Sequence, residues 1–233
     1  MLNDAVAALQ NASRPVSFSG AGLSAESGIP TFREAQTGLW ARYDPMTLAS
    51  PGGFAADPEL VISWYNGRRR AIAAAQPNPA HLAMAQRADI VHITQNVDDL
   101  LERAGAGDIV HLHGSINRDR CSAGCGHREA VDLAAPLPLR PCPQCGRPMR
   151  PDVVWFGEQL PRIEWLRADE LAAHADVFIV IGTSAQVYPA AGLITTARTA
   201  GAKIIVINIE PGVGPGIRLT GPAGQIVPQL LEP

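Results

Sequence analysis

No run of this chain stays apolar for the roughly 20 residues that a membrane-crossing helix needs. The opening Met1-Leu2-Asn3-Asp4-Ala5-Val6 has no basic segment ahead of an apolar one, so it does not read as a secretory signal. Positive charge is not in excess either. With a net charge of −3, the chain lacks the basic footprint that nucleic-acid binding requires. Cysteine is confined to four positions between 121 and 145, which leaves none elsewhere to act as a nucleophile. The 22 glycines and 20 prolines are scattered at turns and form no tracts, which excludes a low-complexity chain. These absences lead us to expect a cytoplasmic protein with no membrane or nucleic-acid partner, its thiols reduced or metal-bound.

What is present describes a globular protein. Apolar residues make up 46% and charged residues 18% of 233 positions, enough for one sizeable core with or without a small satellite module. Residues 2–12 read as an amphipathic helix that leads into the apolar run Val16-Ser17-Phe18-Ser19, a buried strand. Further strands are expected at 90–94, 110–112, 177–181 and 204–207, where near-continuous β-branched runs mark parallel strands covered on both faces. Helical stretches such as 79–87 and 190–200 separate them, and this alternation predicts a doubly wound α/β sheet. Two segments break the alternation: about 34–75, with Trp, Tyr and Arg at helical spacing, and about 118–152, which holds every cysteine. The run Arg68-Arg69-Arg70 reads as a solvated helix face.

Gly20, Gly22 and Ala25 follow the first strand in a Gly-x-Gly-x-x-(Gly/Ala) pattern, a strand-to-helix turn whose bare N–H groups can hold a pyrophosphate. The acidic residue that usually confirms a dinucleotide site about 20 residues later is missing, since Trp40-Ala41-Arg42-Tyr43 is not a strand end. Cys121, Cys125, Cys142 and Cys145 form C-x₃-C, a sixteen-residue gap and C-x₂-C. That spacing suits four thiolates around one structural Zn²⁺, with His127 nearby as a substitute ligand; two disulfides or a redox pair are the other reading. Of six histidines, His81, His92 and His174 read as structural. His111 and His113 alternate at a strand end and point to opposite faces.

The fourteen residues Gly20-Ala21-Gly22-Leu23-Ser24-Ala25-Glu26-Ser27-Gly28-Ile29-Pro30-Thr31-Phe32-Arg33 resemble the cofactor loop of the sirtuins, the NAD-dependent protein lysine deacylases. Thr94-Gln95-Asn96-Val97-Asp98-Asp99-Leu100, His111-Leu112-His113-Gly114 and Gly182-Thr183-Ser184 repeat the resemblance in the expected order, so it covers nearly the whole chain. It implies a Rossmann-like NAD-binding domain from residues 1–33, 76–117 and 153–233. A helical insertion at 34–75 and a zinc-binding insertion at 118–152 then form a small domain, with NAD and substrate meeting in the cleft between.

The resemblance also implies the site residues. His113 becomes the catalytic base, a task that suits an imidazole because its pKa lies near neutrality. Asn96 and Asp98 fall nearest the nicotinamide; as a pair around Val97 they can equally serve as a helix cap. Gly20, Ala21, Gly22, Glu26, Ile29, Phe32 and Arg33 belong to the cofactor loop, with Gln95 and Val97 beside them. Gly182, Thr183 and Ser184 take phosphate or ribose, Asn208 and Glu210 the adenosine ribose, and Ala223 lies near the adenine. In the implied reaction the acyl group passes to the ribose, giving free lysine, nicotinamide and O-acyl-ADP-ribose.

Val154, Phe156 and Gly157 match the family segment that pairs with an acylated-lysine substrate as an added strand. Tyr65 and Arg68 form a Tyr-x-x-Arg pair on one helix face, by itself a commonplace surface feature. At this place in the family the pair marks the bacterial branch that removes succinyl and malonyl groups, with Arg68 pairing the distal carboxylate and Ala49 widening the pocket. Three functions remain in view: a deacylase, a protein ADP-ribosyltransferase on the same fold, and a non-catalytic NAD or ADP-ribose sensor.

Overall fold

The computed structural model describes residues 1–29, 43–185, 187–211 and 216–232. Along the chain run α1 (Leu2–Gln10), β1 (Pro15–Ser19), two single 3-10 turns at Ala21–Leu23 and Ala25–Ser27, α2 (Pro45–Leu48), α3 (Pro51–Ala56) and α4 (Pro58–Ala74). Next come α5 (Pro79–Ala85), β2 (Val91–Thr94), α6 (Leu100–Ala104), β3 (Ile109–His111), β4 (Gly114–Cys121), β5 (Arg128–Ala130) and β6 (Met149–Val153). The chain closes with α7 (Arg162–His174), β7 (Val177–Ile181), α8 (Gly192–Thr199), β8 (Lys203–Asn208), β9 (Ile217–Thr220) and α9 (Ala223–Leu231).

Six strands form one sheet in the order β3-β2-β1-β7-β8-β9, and every pairing in it is parallel. This is the expected doubly wound α/β sheet, with its topological switch between β1 and β7, where ligands bind at the carboxyl ends of strands. One face packs Leu9, Met84 and Val227 from α1, α5 and α9 against Ile179 and Ile205. The other sets Phe18 and Phe178 against Ala168 of α7 and Leu193 of α8, the two rings 5.9 Å apart. Strand β9 extends the sheet beyond the strands that apolar runs alone revealed, and α9 packs on one of its faces. Among the described residues no helix is long and apolar enough to cross a membrane.

The segment expected to be helical opens each helix in the same way. Asp44, Ser50 and Asp57 each precede a proline, and their side chains accept from Met46 N (2.8 Å), Gly53 N (3.0 Å) and Leu60 N (3.0 Å). A capping oxygen followed by a pre-set φ is an efficient way to start short helices. These helices pack on a second sheet, antiparallel, in the order β5-β4-β6. Their shared core contains Leu48, Phe54, Ile62, Trp64, Tyr65, Ile116, Val153 and Trp155.

The arginine run corrects the sequence reading. Only Arg70 is exposed, whereas Arg69 is fully buried. Arg69 Nη2 bonds Asp119 at 2.6 Å and its Nε donates to Ile116 O at 3.0 Å, tying α4 to β4. Helix α4 is covered by a sheet on the side where solvent was expected, so the run spans three environments in one turn.

Candidate active site

The loops leaving β1 and β7 cross in direct contact at the switch point. Gly20 N donates to Ile181 O at 2.9 Å and Gly22 N to Gly182 O at 2.8 Å. A Cβ on Gly22 would stand 2.7 Å from Gly182 Cα, and one on Gly182 (φ +58°) would stand 2.5 Å from Gly22 C. The glycines are therefore required by the crossing of two loops, whatever ligand lies above them. Gln95, at the end of β2, joins the same edge through Nε2 to Thr183 Oγ1 at 3.0 Å. Asn208 Nδ2, from the end of β8, donates to Thr183 O at 3.1 Å.

Beneath this edge lies a buried polar network. The Ser24 hydroxyl donates to Asp98 Oδ2 (3.0 Å), accepts from Asn96 Nδ2 (3.2 Å) and faces His81 Nε2 at 3.5 Å. His81 Nδ1 accepts from Asn78 N at 3.3 Å in a capping box on α5, so Nε2 carries the proton of the neutral ring. Burial pushes His81 down to about 4, which keeps it neutral. Burial raises the Asp98 carboxyl, against the Leu100 N–H and the Ser24 hydroxyl that favour its charge. Asp98 also accepts from Leu100 N at 3.2 Å, so the expected capping role and a place in the network hold together, although the N-cap itself is Asp99.

Sequence reasoning assigned no role to Ser24 and read His81 as a structural helix residue, which its capping box with Asn78 bears out. Ser24 is the polar residue between two apolar neighbours in the glycine motif, a signal that was available. The contact of His81 with Ser24 offered none, because the two lie 57 residues apart.

His111 and His113 diverge as their alternation predicts. His113 Nδ1 bonds Gln95 O at 3.0 Å, and because a carbonyl only accepts, Nδ1 carries the proton and Nε2 keeps its lone pair. Burial holds His113 below the ordinary imidazole value, outweighing that carbonyl, so at neutral pH it is a free base. His111 is bonded at both nitrogens, to Asn96 O (3.2 Å) and Glu102 Oε1 (2.6 Å). Burial lowers His111, but the hydrogen bond and charge of Glu102 outweigh it and the net shift is upward. Environments that push two neighbouring groups apart separate a base from a structural anchor.

Next to the network, Tyr65 and Ala49 are both buried within the core under the small sheet. Tyr65 Oη accepts from Trp155 Nε1 at 2.9 Å. Arg68 lies over the Trp64 ring, 5.1 Å from its centroid, and its Nη1 is buried with no hydrogen-bond partner among the described residues. Burial lowers the Arg68 guanidinium, with the charges of Tyr65 and Asp98 acting the other way. The segment after β6 is not a free strand. Val154 N donates to His113 O and Phe156 N to Ala49 O, both at 2.9 Å, and Gly157 (φ +84°) turns the chain so that Glu158 N reaches Trp155 O.

The remaining predicted positions are dispersed. Glu26 accepts from Gly224 N at 2.6 Å and so sits at the first turn of α9, beside buried Ala223. Ile29 is buried in the core of the small sheet, Ser184 and Glu210 are exposed, and Ala21 and Val97 are half-buried at the site edge. Phe32 and Arg33 lie outside the described residues.

The four cysteines converge at the far end of the small sheet, their sulfurs all within 4.8 Å of one another. Cys121 Sγ lies 3.3 Å from Cys145 Sγ and Cys125 Sγ 3.7 Å from Cys142 Sγ, with no disulfide formed. A tetrahedral Zn²⁺ with Zn–S near 2.3 Å sets sulfurs about 3.8 Å apart, so the donor set fits a closed structural site. His127 bonds Glu129 at 3.2 Å and is not among the clustered ligands.

Comparison with known proteins agrees with this geometry. The model of the Sir2 family matches residues 20–189. An NAD-dependent protein deacylase of Methylococcus capsulatus is 46% identical over 99% of this chain and 96% of its own length. A solved Sir2 homologue–NAD complex superposes with a TM-score of 0.91 at 43% identity, covering 98% of this chain and 92% of that one. A Sir2 protein solved with a deacetylated p53 peptide and 3′-O-acetyl-ADP-ribose gives a TM-score of 0.85 at 28% identity, over 99% of this chain and 97% of that one. Four motifs, the crossed glycine loops and these matches over the full chain agree: the protein belongs to the Sir2 family.

Proposed function

We propose that this chain is an NAD-dependent protein lysine deacylase whose acyl pocket prefers dicarboxylic groups, succinyl and malonyl, while still accepting acetyl. The deacylase reading rests on His113, a neutral imidazole with Nε2 free beside the buried Asn96, Asp98 and Ser24. The dicarboxylic preference rests on Arg68, whose buried Nη1 has no partner within the described residues. A buried guanidinium with an unused donor is costly unless an anion completes it, and a planar fork suits a carboxylate.

In this reading the large domain comprises residues 1–33, 76–117 and 153–233, and the small domain 34–75 and 118–152. NAD is held over the crossed loops of Gly20, Ala21, Gly22 and Gly182, with Gln95, Thr183 and Ser184 toward phosphate and ribose. Asn208, Glu210 and Ala223 face the adenosine end, Glu26 supports the turn of α9, and Ile29, Phe32 and Arg33 close the loop. Bound NAD supplies the activated ribose that accepts the acyl group. Asn96 and Asp98 orient the nicotinamide end, and the Ser24 network keeps both in place. His113 Nε2 takes a proton from a ribose hydroxyl, which its pKa allows at neutral pH. Val154, Phe156 and Gly157 hold the substrate backbone. Because two of their N–H groups are engaged within the chain, pairing falls to their carbonyls and to Gly157.

Cys121, Cys125, Cys142 and Cys145 hold one structural Zn²⁺ that stabilises the small domain. An ADP-ribosyltransferase or a silent sensor has no use for a carboxylate-seeking Arg68, and a sensor needs no base. Mass spectrometry of NAD reactions with matched acetyl-, malonyl- and succinyl-lysine peptides tests the proposal. The expected products are O-acyl-ADP-ribose and nicotinamide, with the succinyl or malonyl peptide turned over fastest. ADP-ribosylated protein, or no product, overturns it.

A further inference from the structure

Tyr65 and Trp155 meet through a hydrogen bond whose direction is forced. An indole N–H can only donate, so the Tyr65 oxygen must be the acceptor in the 2.9 Å contact with Trp155 Nε1. The phenol proton cannot return along the same line. Among the described residues Tyr65 Oη has no second hydrogen-bond partner. Burial pushes the phenol up to about 12, so the proton is present at any pH where the enzyme works. The phenol proton is therefore uncommitted, and one turn along α4 the Nη1 of Arg68 is likewise buried without a partner among the described residues.

The indole is itself clamped. The Arg150 guanidinium stacks 3.2 Å from the centroid of the Trp155 ring, and Phe54 lies against the ring at 5.2 Å. Glu158 grips Arg150 with both oxygens, at 2.7 and 3.0 Å, and takes Arg120 at 3.1 Å. The same carboxylate accepts the Trp155 backbone N–H at 2.9 Å. One anion thus fixes both the main chain of Trp155 and the cation on its ring, and the turn carrying them is the segment assigned to substrate pairing.

We propose that Trp155 is a positioning residue for acyl specificity: held by Arg150 and Glu158, its indole N–H occupies one lone pair of Tyr65 and aims the phenol proton at the distal carboxylate of a dicarboxylic acyl-lysine. The proposal rests on the dicarboxylic reading above. It predicts that the two unused donors, Tyr65 O–H and Arg68 Nη1, address the carboxylate together, and that an acetyl group, which has no distal oxygen, is indifferent to both.

The test replaces Trp155 in the full-length zinc-loaded protein with 3-benzothienylalanine, in which sulfur stands for the N–H and ring shape is kept. Trp155→Phe serves as a second variant, and kcat/KM is measured on paired succinyl- and acetyl-lysine peptides. The expected result is a succinyl-to-acetyl ratio lower by about three- to tenfold, the range for one neutral hydrogen bond. In the isosteric analogue acetyl turnover, the KM for NAD and the melting temperature should stay near the parent values, as a merely structural role for the indole N–H would not allow, whereas Trp155→Phe also removes core volume and is read only through the ratio. In a Tyr65→Phe background the replacement should change the ratio no further. An unchanged ratio in the analogue, or an equal drop without the Tyr65 hydroxyl, overturns the role of Trp155. Arg68→Met run alongside separates the two failures. If it collapses the ratio while the analogue does not, the pocket reading stands and the positioning role is wrong. If it leaves the ratio unchanged, both are wrong.

Discussion

Strands β7 and β6 are both buried at all five positions, yet β7 reads Val-Phe-Ile-Val-Ile while β6 reads Met-Arg-Pro-Asp-Val. In the large sheet, burial is apolar surface removed from water on two faces, the dominant force in folding. In the small sheet the same degree of burial includes Arg150 and Asp152 on β6, and Arg69 against Asp119 nearby. Buried charges stabilise little in net terms, and they tolerate removal of one partner badly. The large sheet is held by apolar burial on two faces, whereas the small one combines apolar burial with paired charges and a cysteine cluster suited to a metal.

The sharpest way to break this contrast is to strip the metal. Replacing Cys142 with serine, or chelating the protein, should unfold the small sheet while the parallel sheet persists, because metal binding in such sites is largely folding free energy. Limited proteolysis and metal analysis check it. One zinc per chain is expected in protein purified without chelators, and a protease-resistant small sheet with no metal contradicts it.

His113→Ala should lower deacylation by about 10²–10⁴-fold with NAD binding retained, since it removes the proposed general base from the edge of the parallel sheet. His111→Ala, by contrast, should act mainly through stability, because both ring nitrogens of His111 anchor the fold.

Within the small sheet, Arg69→Met should cost about 3 kcal/mol, the lower end for breaking a buried pair. Arg140 still reaches Asp119 at 2.8 Å and limits the damage. Denaturant midpoints should show this loss with little change in acyl preference.

Arg68→Met should reverse that pattern. The succinyl-to-acetyl ratio of kcat/KM should drop about ten- to a hundredfold, as for a charged hydrogen-bonded pair, with stability nearly unchanged. Tyr65→Phe should move the ratio in the same direction by less.

The smallest effect is in the pH profile. A base whose pKa is lowered stays unprotonated to lower pH, so the acidic limb of kcat/KM should fall below the ordinary imidazole value of 6.5. His111 carries the opposite sign: its raised pKa means its stabilisation is complete below 6.5 and is lost as pH rises through the folded value. Thermal stability followed across that range, set against His111→Ala, isolates this contribution.

Much of the molecule was legible from local pattern. The β-branched runs, the Gly20 to Gly28 motif and the cysteine spacing are all short-range signals, because strand burial, tight turns and metal chelation each constrain residues a few positions apart. The parallel sheet followed from these, whereas the family and the candidate base His113 came from the resemblance carried by residues 20–33, 94–100, 111–114 and 182–184. Three-dimensional packing alone decided the rest. Arg68, Arg69 and Arg70 are chemically alike and consecutive, and only the packing on α4 leaves one with a buried donor lacking a partner among the described residues, makes one a buried anchor and leaves one solvated. Ser24 finds Asn96, Asp98 and His81, and Tyr65 finds Trp155, across separations of 57 to 90 residues. A buried hydrogen bond is directional, so its partners exist only once separate strand ends are brought together. No periodicity along the chain records which donor will be left without an acceptor.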